Sequence, residues 1–192
     1  NESEVLSVLA ILDNTPPTGT FTYSTVAPTR QDVIVTLIPN ESVTVTNNGG
    51  LFTKTFSENG SFKFEFTDVA GNAGSAIATV GNIDISLPVT TIGVKPVLIT
   101  NATTASFTFA AGETSTYQCQ LDGGAWAACT SPKEYTGLAA GSHTFSVKAT
   151  DQAGNPETTA ATYTWTVDIT VPVTSISGKP ALMTNATTAS FT

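Results

Sequence analysis

Two stretches of this 192-residue sequence are near copies of each other, and no other feature limits the possible fold as strongly. Residues 88–108 (PVTTIGVKPVLITNATTASFT) and 172–192 (PVTSISGKPALMTNATTASFT) are identical at 16 of 21 positions, with an offset of 84 residues. A sequence that repeats itself at a fixed period contains the same structural unit more than once. We therefore expect a row of similar domains.

Repeat boundaries are marked by an aspartate that is followed, after two or three residues, by proline. Such aspartates stand at positions 13, 84 and 168. They predict that residues 1–12 are the last strand of a preceding repeat, that 13–83 and 84–167 are two complete repeats, and that 168–192 begin a further, incomplete repeat.

Apolar residues alternate with polar ones inside each repeat, which is typical of strands buried on one face. Phe62, Phe64 and Phe66 share one face of such a strand, and Lys63 and Glu65 share the other. Turn signals rich in Gly, Asn and Asp separate these runs. We expect roughly seven short strands per repeat, no helix, and a two-sheet sandwich. An amphipathic helix is the alternative for residues 1–12.

The hexamers TDVAGN (67–72) and TDQAGN (150–155) each follow the next-to-last strand of a complete repeat. We expect them to form the turn of the terminal hairpin, because glycine accepts a positive φ, asparagine tolerates the left-handed region, and the Asp68 and Asp151 side chains can bond to turn amides. Turn chemistry alone would explain why the motif recurs.

The Asp-x-Ala-Gly-Asn motif after a Phe- or Val-rich strand, in a unit that opens with Asp-x-x-Pro, resembles the bacterial Ig-like repeats of large secreted and surface proteins. Residues 119–155 are especially similar to one subgroup of these repeats. The resemblance implies an all-β fold of tandem immunoglobulin-like β-sandwich domains at an extracellular or cell-surface location. Such modules act mainly as stalks, spacers or parts of adhesins, with neighbouring Ig-like repeats as their partners.

Charge and motif content exclude several other functions. The formal net charge of −8 and the absence of a basic patch argue against nucleic acid as a partner. The sequence has no apolar run long enough to span a membrane. It also lacks zinc-binding and phosphate-binding motifs, and its single histidine, His143, falls in an inward-facing strand position without a nucleophile motif. We expect a protein that is not an enzyme.

The only two cysteines, Cys119 and Cys129, flank an Asp-Gly-Gly turn. A hairpin centred on Gly124 would set them opposite each other, where a cross-strand disulfide is feasible. A metal site or a reactive thiol is the alternative. The bridge, if formed, indicates an oxidising, exported location.

Two functions other than a stalk are also compatible with the sequence. The first is a module that binds a carbohydrate or a host surface protein, with Trp126 close to a hairpin tip as the candidate sugar-stacking residue and Trp165 expected in the core. The second is a subunit of an extracellular filament, in which residues 3–12 add a strand to a neighbouring subunit.

A calcium site at each domain junction is the last expectation. In an Ig-like sandwich with an odd number of strands, the final hairpin turn lies at the end where the chain enters. Asp68 should then approach Asp13, and Asp151 should approach Asp84. Together with the side chains of two asparagines and nearby carbonyl groups, these acids could supply the oxygen ligands that Ca²⁺ requires. The asparagines are Asn72 and Asn155. The resemblance supports this interpretation, because some bacterial adhesins stiffen Ig-like junctions with calcium; the alternative is that both acids only cap turns.

Overall fold

A computed structural model gives the fold of residues 12–178, together with residues 185, 187, 188, 190 and 191. The described chain is all-β, with one short 3₁₀ turn at Asn48–Gly50. Within residues 12–178 no helix has the length and apolarity needed to cross a membrane. The expectations for residues 1–11, including strand donation by residues 3–12, lie outside the described residues.

Six strands lie in the first segment, which we define as residues 12–83: β1 (Gly19–Tyr23), β2 (Val33–Pro39), β3 (Val43–Val45), β4 (Thr53–Phe56), β5 (Gly60–Asp68) and β6 (Ala73–Val80). Nine lie in the second segment, residues 84–167: β7 (Thr90–Ile92), β8 (Ile99–Thr100), β9 (Ala105–Phe107), β10 (Phe109–Ala111), β11 (Ser115–Leu121), β12 (Ala127–Cys129), β13 (Lys133–Tyr135), β14 (Gly141–Asp151) and β15 (Ala161–Val167).

The first segment contains two three-stranded antiparallel sheets, in the orders β1-β2-β4 and β3-β5-β6. Inward-facing residues of both sheets form a single apolar cluster, in which Val33, Val35 and Phe64 are fully buried. Phe64 also contacts Phe21 of the opposite sheet, with ring centroids 5.8 Å apart. The expected strand alternation is therefore confirmed at Phe64 and Phe66, while Phe62 is only partly buried.

The second segment is built in the same way around its own cluster. A five-stranded sheet has the order β12-β11-β14-β15-β8, and the pairs β7–β10 and β9–β13 lie opposite it. Phe107 of β9 stacks on Phe145 of β14 at 4.2 Å and lies 5.2 Å from the Trp165 ring. Trp165 is 1% exposed, so the expectation that it packs in the core is confirmed.

The first segment has six strands and the second has nine, against the expected seven, and one of the additional strands in the second segment comes from an interruption between β9 and β10. Thr108 separates β9 from β10, and its hydroxyl oxygen accepts a hydrogen bond from the Val94 amide at 2.8 Å. The Thr108 amide donates to the Val94 carbonyl oxygen at 3.0 Å. This local exchange breaks the ladder, as a bulge does.

A proline near the start of each segment is fully buried, at Pro17 in the first and Pro88 in the second. A Cβ atom on Gly74 would lie 2.2 Å from the Pro17 carbonyl oxygen, so only glycine permits this approach of the opening residues to β6. In the second segment the Glu157 carboxylate holds the opening strand: it accepts bonds from the Thr90 amide and hydroxyl and from the Ala149 amide.

The two hexamers form turns with the same hydrogen bonds. Gly71 and Gly154 have positive φ angles of 90° and 87°, as expected for these positions. The Gly71 amide donates to the Asp68 carbonyl oxygen, and the Gly154 amide donates to that of Asp151, each at 3.3 Å. The turns therefore have one backbone design, although β14 and β15 are joined by a longer loop than β5 and β6.

The disulfide between Cys119 and Cys129 is present, but the expected register was wrong by two residues. Cys119 stands opposite Ala127, and Cys129 stands opposite Tyr117, so the bridge runs diagonally between β11 and β12. The reason is the turn: Asp122 and Gly123 both have positive φ, and the Gly124 amide bonds to Leu121. An Asp-Gly pair of this kind centres the hairpin before Gly124.

We predict that reduction destabilises the second segment and leaves the first unaffected, because no cysteine lies outside the bridge. Opening a ring of this size should remove about 2–3 kcal/mol from the free energy of unfolding on the loop-entropy account. Urea unfolding with and without reductant, followed by amide signals from each segment, measures the effect. Equal losses in both segments would show that they do not unfold separately.

Candidate functional site

The site is built on the aspartate and asparagine of each hexamer. In the first segment the Asp68 carboxylate accepts two bonds from Asn72, one from its backbone amide and one from its side-chain nitrogen, both at 2.8 Å. Asp151 and Asn155 repeat both bonds at 2.8 Å. Neither asparagine is among the non-glycine residues with positive φ, so their role lies in the side chain instead of the backbone conformation.

The same asparagine side chain connects the turn to the start of its segment. Asn72 Nδ2 donates to the Asp13 carbonyl oxygen at 3.1 Å, and Asn155 Nδ2 donates to that of Asp84 at 2.8 Å. Because both partners of each amide nitrogen are acceptors, the NH₂ group must face them. The asparagines therefore orient the site by donating hydrogen bonds, and these contacts do not present their amide oxygens to the carboxylates.

Three carboxylates meet in each segment. The clusters are Asp13, Glu41 and Asp68 in the first segment and Asp84, Glu113 and Asp151 in the second, with one oxygen of each residue within 4.8 Å of the others. Oxygens that coordinate one Ca²⁺ at 2.3–2.6 Å lie at most about 5 Å apart, so this spacing suits a shared cation. Neither of the ion pairs found in residues 12–178 involves these six acids.

The turn bonds favour the charged form of one acid in each cluster. Partial burial acts to raise the pKa of Asp68 and of Asp151. The hydrogen bonds from the asparagine side chain and from three turn amides outweigh it, so both pKa values lie below the ordinary one. Both carboxylates are thus ionised at neutral pH although they are 8% and 7% exposed.

The third acid of the second cluster shows the opposite effect. The pKa of Glu113 is raised, first by burial and then by the negative charges of Asp151 and Asp84. A raised pKa in a carboxylate means that ionisation is opposed by its surroundings. The second cluster therefore concentrates negative charge against mutual repulsion, which a bound cation would remove.

The two glutamates were missed by the sequence analysis. They occupy the sequences Asn40-Glu41-Ser42 and Gly112-Glu113-Thr114, which stand 28 and 29 residues after Asp13 and Asp84. In both segments the glutamate lies in the loop that leads to the next strand, β3 or β11. An acid followed by a hydroxyl residue, 28 or 29 residues after the first aspartate of each segment, was the available signal.

Asp84 connects the cluster of the second segment to the first segment. Its amide donates to the Thr29 carbonyl oxygen at 2.8 Å, and the Thr29 amide donates to Asn82 at 2.9 Å. Its own carbonyl oxygen accepts the bond from Asn155. Asp168 is held in the same way, since its amide donates to the Thr100 carbonyl oxygen at 2.8 Å. Each aspartate that follows a segment is thus hydrogen-bonded to the segment before it.

The aspartates at the segment starts also cap turns. Oδ1 of Asp13, Asp84 and Asp168 accepts the amide two residues ahead, each at 2.9 Å. The pKa of Asp168 is lowered by the bonds from Thr170. Asp13 and Asp84 therefore cap turns and also belong to the acidic clusters.

Trp126, the candidate for sugar stacking, is half-buried, and the Lys148 amine lies 4.5 Å from the centroid of its ring. His143 faces inward as expected and lies against Trp165.

No protein-family model matches the chain, and no curated protein sequence matches it either.

We predict that Glu113→Gln stabilises the cation-free protein at neutral pH. The folded-state pKa of Glu113 lies above its unfolded value, so its contribution to stability falls as pH rises through that interval and stays lost above it. Glutamine removes this loss. Chemical unfolding in chelator, from acidic to neutral pH, should give a growing gain over wild type.

The exposed strand residue Glu134 supplies the control for this measurement, as Glu134→Gln changes the same charge outside the cluster. A loss of stability in Glu113→Gln at neutral pH in chelator would contradict the repulsion that we assign to the cluster.

Proposed function

We propose that residues 13–83 and 84–167 are tandem Ig-like domains in the stalk of an extracellular bacterial surface protein, and that Ca²⁺ stiffens their junctions. The observation that carries this proposal is the arrangement at the start of each segment, built twice from an acidic triad and an asparagine that bonds to the first aspartate of the segment. A repeated junction is what an array of modules requires, because each module must meet its neighbour in the same way.

The strand order supports the Ig-like interpretation. If β1, β2 and β4 are named A, B and E, and β3, β5 and β6 are named C, F and G, the first segment has the order of an Ig sandwich that lacks strand D. In both segments a short stretch after the first strand pairs in parallel with residues near the end of the segment: Thr29 with Ile83, and β8 with the end of β15. Separate apolar clusters in the two segments support their assignment as individual domains.

The location and mechanical role rest on three features. The disulfide is compatible with an oxidising, extracellular compartment. The buried prolines Pro17 and Pro88 restrict the backbone where each domain begins. The hydrogen bond from the Asp84 amide to Thr29 limits rotation at the junction. In such a stalk each domain adds length, and a cation bound at the acidic triad would hold the first residue of the domain to its final turn.

Carbohydrate binding is the second candidate function, and Trp126 is the residue that favours it, since an aromatic ring at a hairpin end can stack on a sugar. The Lys148 amine lies over one face of this ring, so a sugar would have to displace it or use the other face. A filament subunit that donates residues 3–12 is a third proposal and concerns residues outside the described part of the chain.

We predict that calcium raises the melting temperature of the whole chain. At a free concentration one hundred times the dissociation constant, each occupied site should add about 2.7 kcal/mol to the free energy of unfolding. Differential scanning calorimetry in millimolar calcium and in chelator measures the shift. Glu41→Gln and Glu113→Gln test the two sites singly, since neither glutamate forms the turn bonds of its hexamer.

Glu134→Gln should respond to calcium as wild type does, while each cluster variant should lose part of the shift. If calcium leaves the wild-type melting temperature unchanged, the triads are turn-capping acids alone, and the stalk is stiffened by its backbone contacts. Loss of glycan binding on Trp126→Ala, measured on a glycan array, would instead favour the carbohydrate-binding function.

A further inference from the structure

His143 lies near the start of β14, opposite Trp165 of β15. Its side chain is buried, with the residue 8% exposed, and its ring lies 5.5 Å from the ring of Trp165. Asp151 stands at the other end of the same strand, eight residues away. At about 3.3 Å per residue, the histidine is some 26 Å from the acidic cluster. The two sites are therefore independent.

Both ring nitrogens of His143 have hydrogen-bond partners. Nδ1 is 2.7 Å from Asp122 Oδ2, and Nε2 is 2.9 Å from the carbonyl oxygen of Ala139. A carboxylate and a carbonyl oxygen are both acceptors, while a neutral imidazole has only one N–H group. Only the protonated ring can donate to both partners, so the geometry is that of an imidazolium.

The two partners belong to separate loops. Asp122 lies in the β11–β12 turn, and its other carboxylate oxygen accepts the Thr144 amide at 2.7 Å. Ala139 lies in the segment 136–140, which is also held by a bond from the Leu138 amide to the Thr103 carbonyl oxygen at 3.0 Å. The histidine ring is thus the connection between these two loops.

Few ionisable side chains surround the His143 ring. Asp122 is the one charged side chain within ion-pair distance of His143 among the described residues. The segment 136–140 and β15 contain no ionisable side chain apart from Tyr163 of β15. Tyr135 of β13 has a pKa raised by burial and then by the charge of Asp122, so it stays neutral over the range in which histidine titrates.

We propose that His143 is a proton-operated clamp, which holds the β11–β12 turn and the segment 136–140 together when it is charged and releases the segment 136–140 when it loses its proton. Deprotonation removes one N–H group and leaves one nitrogen of the buried ring facing an acceptor without a hydrogen bond, which costs free energy. The pKa of His143 is raised, chiefly by the bond to Ala139 and then by Asp122. The clamp therefore stabilises the fold fully below the unfolded pKa and fails as pH rises through the folded one.

The test is a pH titration of the full chain by NMR. His143 is the only histidine, so its Cε1–H signal is unambiguous. We expect a midpoint above the ordinary value of about 6.5. Amide exchange at 137–140 should accelerate along the same curve, relative to the intrinsic rate, by up to about tenfold for each unit of the rise in pKa. Amides of the first segment, which has no histidine, correct for the pH dependence of chemical exchange.

Asp122→Asn is the matched variant, because its amide oxygen can still accept the Thr144 bond while the charge is lost. It should lower the histidine midpoint toward the ordinary value. A wild-type midpoint at or below about 6.5 would overturn the proposal. The proposal would also be overturned if amide exchange at 137–140 had the same pH dependence as amide exchange in the first segment. Both outcomes can be read from the wild-type protein if the variant does not fold.

Discussion

The hydrogen bond from the Asn155 amide to the Asp84 carbonyl oxygen determines how the second segment closes on itself. It joins the last hairpin turn to the first residue of the segment, 71 positions earlier in the chain. Asn155 is 4% exposed, so one of the two N–H groups of its buried amide would lose its acceptor if this contact were absent. The same nitrogen bonds to the ionised Asp151, and such charge-assisted bonds are among the strongest in proteins. Asn72 performs the same function for Asp13 in the first segment.

Convergence of the acids follows from this contact. Once the turn is bonded to the first aspartate, the carboxylates of Asp84 and Asp151 are held near each other, and the loop before β11 adds Glu113. The asparagine side chain and the turn amides lower the pKa of Asp151, while burial and then the charges of Asp151 and Asp84 raise the pKa of Glu113. The cluster is thus organised before any cation binds, which lowers the cost of binding one. Since the Asp84 amide bonds to Thr29, an ion there would act on the junction between the segments.

Much of this arrangement could be predicted from sequence, because it depends on local patterns. Two-residue alternation identified the buried face at Phe64 and Phe66, and the repeated hexamer identified the turns at Gly71 and Gly154. The disulfide register was missed, because it depends on which residues of Asp-Gly-Gly take the left-handed conformation. The conformation of these residues depends on the pairing of the two strands as well as on the turn sequence.

Local sequence patterns do not predict contacts between loops that are far apart in the chain. Glu41 and Glu113 join their clusters from loops whose paths are set by the strands on either side. The bonds of His143 to Asp122 and Ala139 depend on two loops that meet at the end of β14. The bonds that Asn72 and Asn155 donate to the first aspartate of each segment were also missed, because they join positions 59 and 71 residues apart in the chain.

Residual dipolar couplings measured on both segments, with calcium and with chelator, test the central claim most directly. The claim is that the acidic triad at Asp84 joins two domains into a junction that a cation stiffens. The account predicts that couplings from both segments fit one common alignment tensor in calcium and need two tensors of different magnitude in chelator. Separate tensors of unchanged magnitude under both conditions would contradict it.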